Sequence, residues 1–117
     1  MTDRPLKSPP ADLLENEFAQ EKASALGRLG RAFEAALAAL AEFDHSRSAG
    51  EFSLQDRELR AALLQEASTA LWHFIVQREA CGLRDMRLVL REYRVPAEIS
   101  ARMGIIAARP RKSSRSA

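Results

Sequence analysis

Apolar residues recur at helical spacing over an unusually long opening stretch. From about Pro10 to Phe43 only Gly27 and Gly30 interrupt a run of helix-favouring residues, and Leu26, Leu29, Phe33, Leu37 and Leu40 repeat three and four positions apart. At the helical rise this stretch is about 50 Å long. A compact chain of this size has a radius of gyration of only about 13 Å. The helix is therefore expected to protrude, and a protruding apolar stripe needs cover from a second surface. The pattern thus predicts self-association, with Leu26, Leu29, Phe33, Leu37 and Leu40 on the contact face. Alanines at 32, 35, 36, 38, 39 and 41 surround these anchors and let another helix approach closely. Gly27 and Gly30 each cost about 1 kcal/mol against alanine inside a helix, so a close crossing or a kink is expected beside them.

The pattern breaks between His45 and Gly50. Ser53-Leu54-Gln55-Asp56 then has the form of a helix start, a serine cap with an acid three positions on. Leu59, Leu63, Ala67, Ala70, Leu71, Phe74 and Ile75 give the stripe of a second helix, about 54–81, in which Leu71 to Val76 is apolar nearly all round and expected to be deeply buried. Gly82 is a left-handed cap after Cys81. Met86, Val89, Leu90 and Tyr93 mark a short third helix, about 84–94, with Asp85 near its start and Val95-Pro96 at its end. Pro96 opens a fourth, about 96–103, through Ala97, Ile99 and Met103, with Gly104 as terminator and Ile105 and Ile106 as a last apolar contact. Residues 1–9, rich in proline, are expected to form a flexible arm. Residues 108–117, with Arg109, Arg111, Lys112 and Arg115 and no acid, are expected to form a disordered basic tail. The expected fold class is all-α: one helical domain, 1–107, built as a long antiparallel hairpin with two short C-terminal helices, its bundle completed by dimerisation.

Composition narrows the setting. With 117 residues, 46% of them apolar, the chain is large enough for a core without metals or disulfides. Its one cysteine excludes an intrachain disulfide, no run approaches a membrane span, and the start MTDRPLKSPP lacks an apolar signal core, so a soluble cytoplasmic protein is expected. Arginine outnumbers lysine 15 to 3, a bias that a GC-rich genome would also produce. Charge divides along the chain: residues 1–81 carry nine basic and thirteen acidic side chains, residues 82–117 nine and three. The simplest reason is a basic C-terminal part folded against acidic helices of its own or a second subunit; the other is an anionic partner.

The stretch Leu71 to Gly104, above all Trp72-His73-Phe74, the run Gln77 to Asp85, and Val95-Pro96 before Ile99 and Gly104, resembles a family of small uncharacterised bacterial all-helical proteins. That resemblance implies a helical fold and carries no activity or site residue with it.

Candidate chemistry is sparse. Glu66, His73 and Gln77 share a face of the second helix, but zinc wants three or four His, Cys or carboxylate ligands, and the sequence holds two histidines and one cysteine. His73 is better explained as a buried or half-buried imidazole hydrogen-bonded to a neighbour. Cys81 sits at a helix C-terminus, which disfavours a thiolate, and lies about 12 Å along the helix from His73. Ser-His-Asp arrangements, Gly-rich phosphate loops and Walker motifs are absent from the sequence, which argues against catalysis and names no catalytic, cofactor or metal residue. Met86 to Met103 has part of the spacing of a helix-turn-helix, yet its turn lacks glycine and Arg102 is the one cation of the second helix. Arg84, Arg87, Arg91 and Arg94 recur at helical spacing and with Arg111 offer a sequence-independent phosphate surface, or else a solvated arginine face. Trp72 is expected in the core or the self-contact rather than in a ligand pocket. These features favour a noncatalytic homodimeric helical interaction or scaffold protein with an unknown protein partner, its self-contact made by Leu26, Leu29, Phe33, Leu37, Leu40 and Trp72. The alternative is a small nucleic-acid-associated protein using the C-terminal arginines.

Overall fold

The computed structural model describes residues 9–47, 50 and 52–103. They form four helices, α1 (Pro9–Ser46), α2 (Leu54–Ala80), α3 (Met86–Glu92) and α4 (97–103), with no strand among the described residues. The all-helical class expected from the periodicity is the class observed. Residues 1–8 of the expected arm, the terminator Gly104, the contacts of Ile105 and Ile106, and the basic tail with Arg111 lie outside the described residues. No described helix is long and apolar enough to cross a membrane.

A heptad seam organises the centre. Leu26, Leu29, Phe33, Ala36, Leu40 and Phe43 step by three and four along α1, and the last four are buried while the first two are half-buried. α2 answers with Ala67, Ser68, Leu71, Phe74 and Ile75, all buried. Asp44 meets Arg60, Gly30 meets Phe74, and Lys22 meets Gln77, so the two helices run in opposite directions. Val89 of α3 and Ile99 and Met103 of α4 complete the core.

Gly30 faces the Phe74 ring of α2. A Cβ there would stand 3.1 Å from Phe74 Cε1, and Phe74 packs at ring-centroid distances of 6.2 Å from Phe33 and 5.6 Å from Tyr93. The glycine thus makes room for an aromatic triad that ties α3 to both long helices. α1 continues through both glycines as one helix.

Helix ends follow local chemistry. The Ser53 hydroxyl accepts from Asp56 N at 3.0 Å while the Asp56 carboxylate accepts from Ser53 N at 3.2 Å, the reciprocal cap expected from the sequence. Gly82, at φ +87°, closes α2: Leu83 N donates to Arg78 O at 2.8 Å and Gly82 N to Glu79 O at 3.0 Å. α3 ends the same way, with Val95 N donating to Leu90 O and Arg94 N to Arg91 O, but Arg94 holds the left-handed position at φ 51° where a glycine would be unstrained.

Three sequence expectations are corrected. Within Leu71–Val76, Trp72 is half-buried and His73 and Val76 are exposed, because this run covers more than a full turn and only one face of α2 meets the rest of the chain. His73 is accordingly a surface side chain, not a buried imidazole. Leu59 is 46% exposed, one turn ahead of the half-buried Leu63 and off the α1-facing seam. Ser68, unremarked in the pattern, is fully buried; its hydroxyl donates to Leu64 O at 2.8 Å, which satisfies it without a partner helix.

Candidate interaction surface

Traced towards the N-terminus, the α1 seam changes character. The positions before Leu26 at the same spacing are Lys22, Ala19, Glu15 and Asp12, so three of the four are charged. α2 ends at this level: Gln77 Nε2 donates to Lys22 O at 3.3 Å, and Cys81 Sγ lies 3.9 Å from the same carbonyl. The hairpin therefore closes where its apolar seam runs out, and α1 runs on beyond α2 by about 20 Å.

Residues 11–24 are all exposed, among them Leu13 at 61%, Leu14 at 53% and Phe18 at 64%. At the root of this overhang an open groove of about 440 Å³ is lined by Glu15, Phe18, Ala19, Lys22, Ala23 and Leu26 of α1 and by Ala80 and Cys81 at the end of α2. A second groove of about 370 Å³ shares Ala23 and Leu26, passes over Gly27 and Gly30, and reaches Phe74 and Tyr93, with Arg31, Glu34 and Arg78 as its charged lining. The two make one trough along α1. Small residues form its floor and large apolar ones stand at its N-terminal edge.

The residues named from sequence for self-contact divide. Phe33 and Leu40 lie inside the chain's own core, at 0% and 3% exposure. Leu26, Leu29, Leu37 and Trp72 are half-buried against that core. The large exposed side chains of α1 are Leu13, Leu14 and Phe18, which sequence reasoning passed over. Their signal was phase: none of them falls on the register of Leu26 to Phe43, so they were never going to face α2.

Arg84, Arg87, Arg91 and Arg94 are all exposed and make no side-chain hydrogen bond or ion pair within the described residues. Glu98, which would repel phosphate if free, is occupied by Arg60. Arg60 binds Asp44 through Nε and a terminal nitrogen at 2.7 and 2.9 Å, and Glu98 through its two terminal nitrogens at 3.2 and 2.6 Å. One guanidinium thereby joins α1, α2 and α4. Its hydrogen bonds hold the Asp44 and Glu98 carboxyls below the usual carboxylate range and push Arg60 itself up. Arg102 adds a bond to Gln65 Oε1 at 2.9 Å, so both polar side chains on this side of α4 serve the fold.

Among the described residues no three His, Cys, Asp or Glu side chains are grouped to hold a metal ion. No curated protein and no solved structure matches the chain. A family model does, over residues 8–111, nearly the whole chain, and it reaches from the overhang through the hairpin to α4: the protein belongs to DUF6665, a family of unknown function.

Proposed function

We propose that this protein is a noncatalytic helical interaction protein that works by self-association, and that the overhang of α1 is its docking surface. The observation that carries this is the exposure of Leu13, Leu14 and Phe18 on a helix that outruns its own partner, beside an apolar groove at the end of α2. Water-facing aromatic and aliphatic side chains in one short segment mark a surface that is covered in use. Covering a side chain such as Phe18 is worth about 2 kcal/mol, and a symmetric contact counts it twice. Leu26 borders the groove and takes part; Leu29, Leu37 and Trp72 pack against the chain's own core instead. The test is sedimentation of the full chain against Leu14→Glu and Phe18→Glu. Both positions are exposed, so the variants keep their helical signal and melting behaviour while association is lost. Unchanged association in both variants would refute the assignment.

A second reading rests on the exposed arginines at 84, 87, 91 and 94. A chain that binds phosphates through them is retained on duplex DNA, and is released as salt rises and by Arg87→Ala with Arg91→Ala. A chain that acts by self-association ignores duplex DNA at physiological salt.

A further inference from the structure

The trough and the overhang belong to the same helix, and their charges are sorted. Residues 10–21 contain Asp12, Glu15, Glu17 and Glu21 and no base, whereas residues 22–31 contain Lys22, Arg28 and Arg31 and no acid. Arg28 reaches the acidic block of its own chain only through a 4.0 Å contact with Glu21, with both side chains mostly in water. On the face of α1 that lines the groove, Glu15, Phe18 and Lys22 stand in line, so a second copy reversed about Phe18 sets Glu15 of each chain against Lys22 of the other. Laid parallel, two copies would set acid on acid.

We propose that the occupant of the trough is the α1 overhang of a second copy, running antiparallel, with a two-fold axis passing close to Phe18. This deepens the self-association proposed above and rests on it. In this arrangement the two Phe18 side chains meet near the axis and pack on Ala19 and Ala23, the small floor of the groove. Lys22 of each copy stands level with the Asp12–Glu15 segment of the other. The second helix lies over the groove, so Phe18 and the exposed edge of Leu26 are covered by the partner.

Pairs of spin labels read the arrangement directly, in full-length protein carrying Cys81→Ser and one cysteine at a time, Asn16→Cys or Arg28→Cys, both at exposed positions. About an antiparallel axis the label-to-label distance grows by about 3 Å for each residue away from the axis, so Arg28→Cys gives a distance about 25 Å longer than Asn16→Cys. In a parallel pair the two are equal. Alongside this, Lys22→Glu weakens the dimer about tenfold at low salt, and Glu15→Lys in the same chain restores it. Equal label distances, or a dimer indifferent to Lys22→Glu, overturn the antiparallel arrangement while self-association stands. A native chain that stays monomeric at every concentration overturns both.

Discussion

Arg60 offers the clearest test of how the short C-terminal helix is held. Replacing it by methionine keeps an unbranched apolar stem and removes four hydrogen bonds, two to Asp44 and two to Glu98. The geometry is that of strong charge-assisted pairs, but the Arg60 side chain is 25% exposed and those of Asp44 and Glu98 are 42% and 45% exposed, so water screens much of the attraction. Discounted in this way, each pair contributes about 0.5–1 kcal/mol, and Arg60→Met costs about 1.5 kcal/mol in all. For a domain of this size that lowers Tm by about 6 °C. The pH dependence has a definite sign. Asp44 and Glu98 have folded pKa values below their unfolded ones, so the stability they contribute is fully present above the unfolded values near pH 4 and is lost as pH falls through the folded values. Thermal melts followed by circular dichroism at pH 7 and at stepwise lower pH therefore show a gap between native and Arg60→Met protein that is widest at neutral pH and narrows below about pH 4. A neutral-pH loss under 2 °C, or a gap that persists unchanged in acid, would refute the role assigned to the clamp.

The two glycines of α1 separate by the same kind of measurement. A Cβ at Gly27 meets only the flexible end of Arg31, at 3.3 Å, so Gly27→Ala stabilises by up to about 1 kcal/mol, whereas Gly30→Ala drives a methyl against the Phe74 ring and forfeits that gain. Chemical denaturation resolves the difference, and an equal gain at both sites would contradict the packing described. Arg94→Gly relieves a left-handed backbone and raises stability by about 1 kcal/mol in the same assay. Ser53→Ala removes one half of the reciprocal cap and lowers stability by about 1 kcal/mol, with the first turn of α2 losing amide-exchange protection ahead of the rest.

Much of the fold was legible because the deciding forces are local or periodic. The stripe from Leu26 to Leu40, the Ser53 and Asp56 cap and the Gly82 terminator each carry their cause within a few residues. Partition of that stripe was not legible. Phe33 and Leu40 were expected to wait for a second subunit, but α2 delivers Phe74 to Phe33 and shares one core with both, and nothing within α1 announces how far α2 reaches. The length of the overhang was nonetheless written in the seam, whose positions turn charged at Lys22, Glu15 and Asp12. Reading phase as well as period would have moved attention from Phe33 to Phe18. Arg60, Asp44 and Glu98 lie 16 and 38 residues apart, and no short pattern connects them. Ser68 was invisible for a different reason: its hydroxyl is satisfied by its own helix, so a polar residue behaves there as a small core residue.

The central claim is that a single chain leaves the first turns of α1 uncovered and that another copy covers them. Light scattering coupled to size exclusion, run on the native protein over a wide concentration range, tests it most directly. The expected mass at high concentration is twice the 13.0 kDa of one chain, falling towards one chain on dilution. A mass of 13.0 kDa at every concentration would contradict the claim.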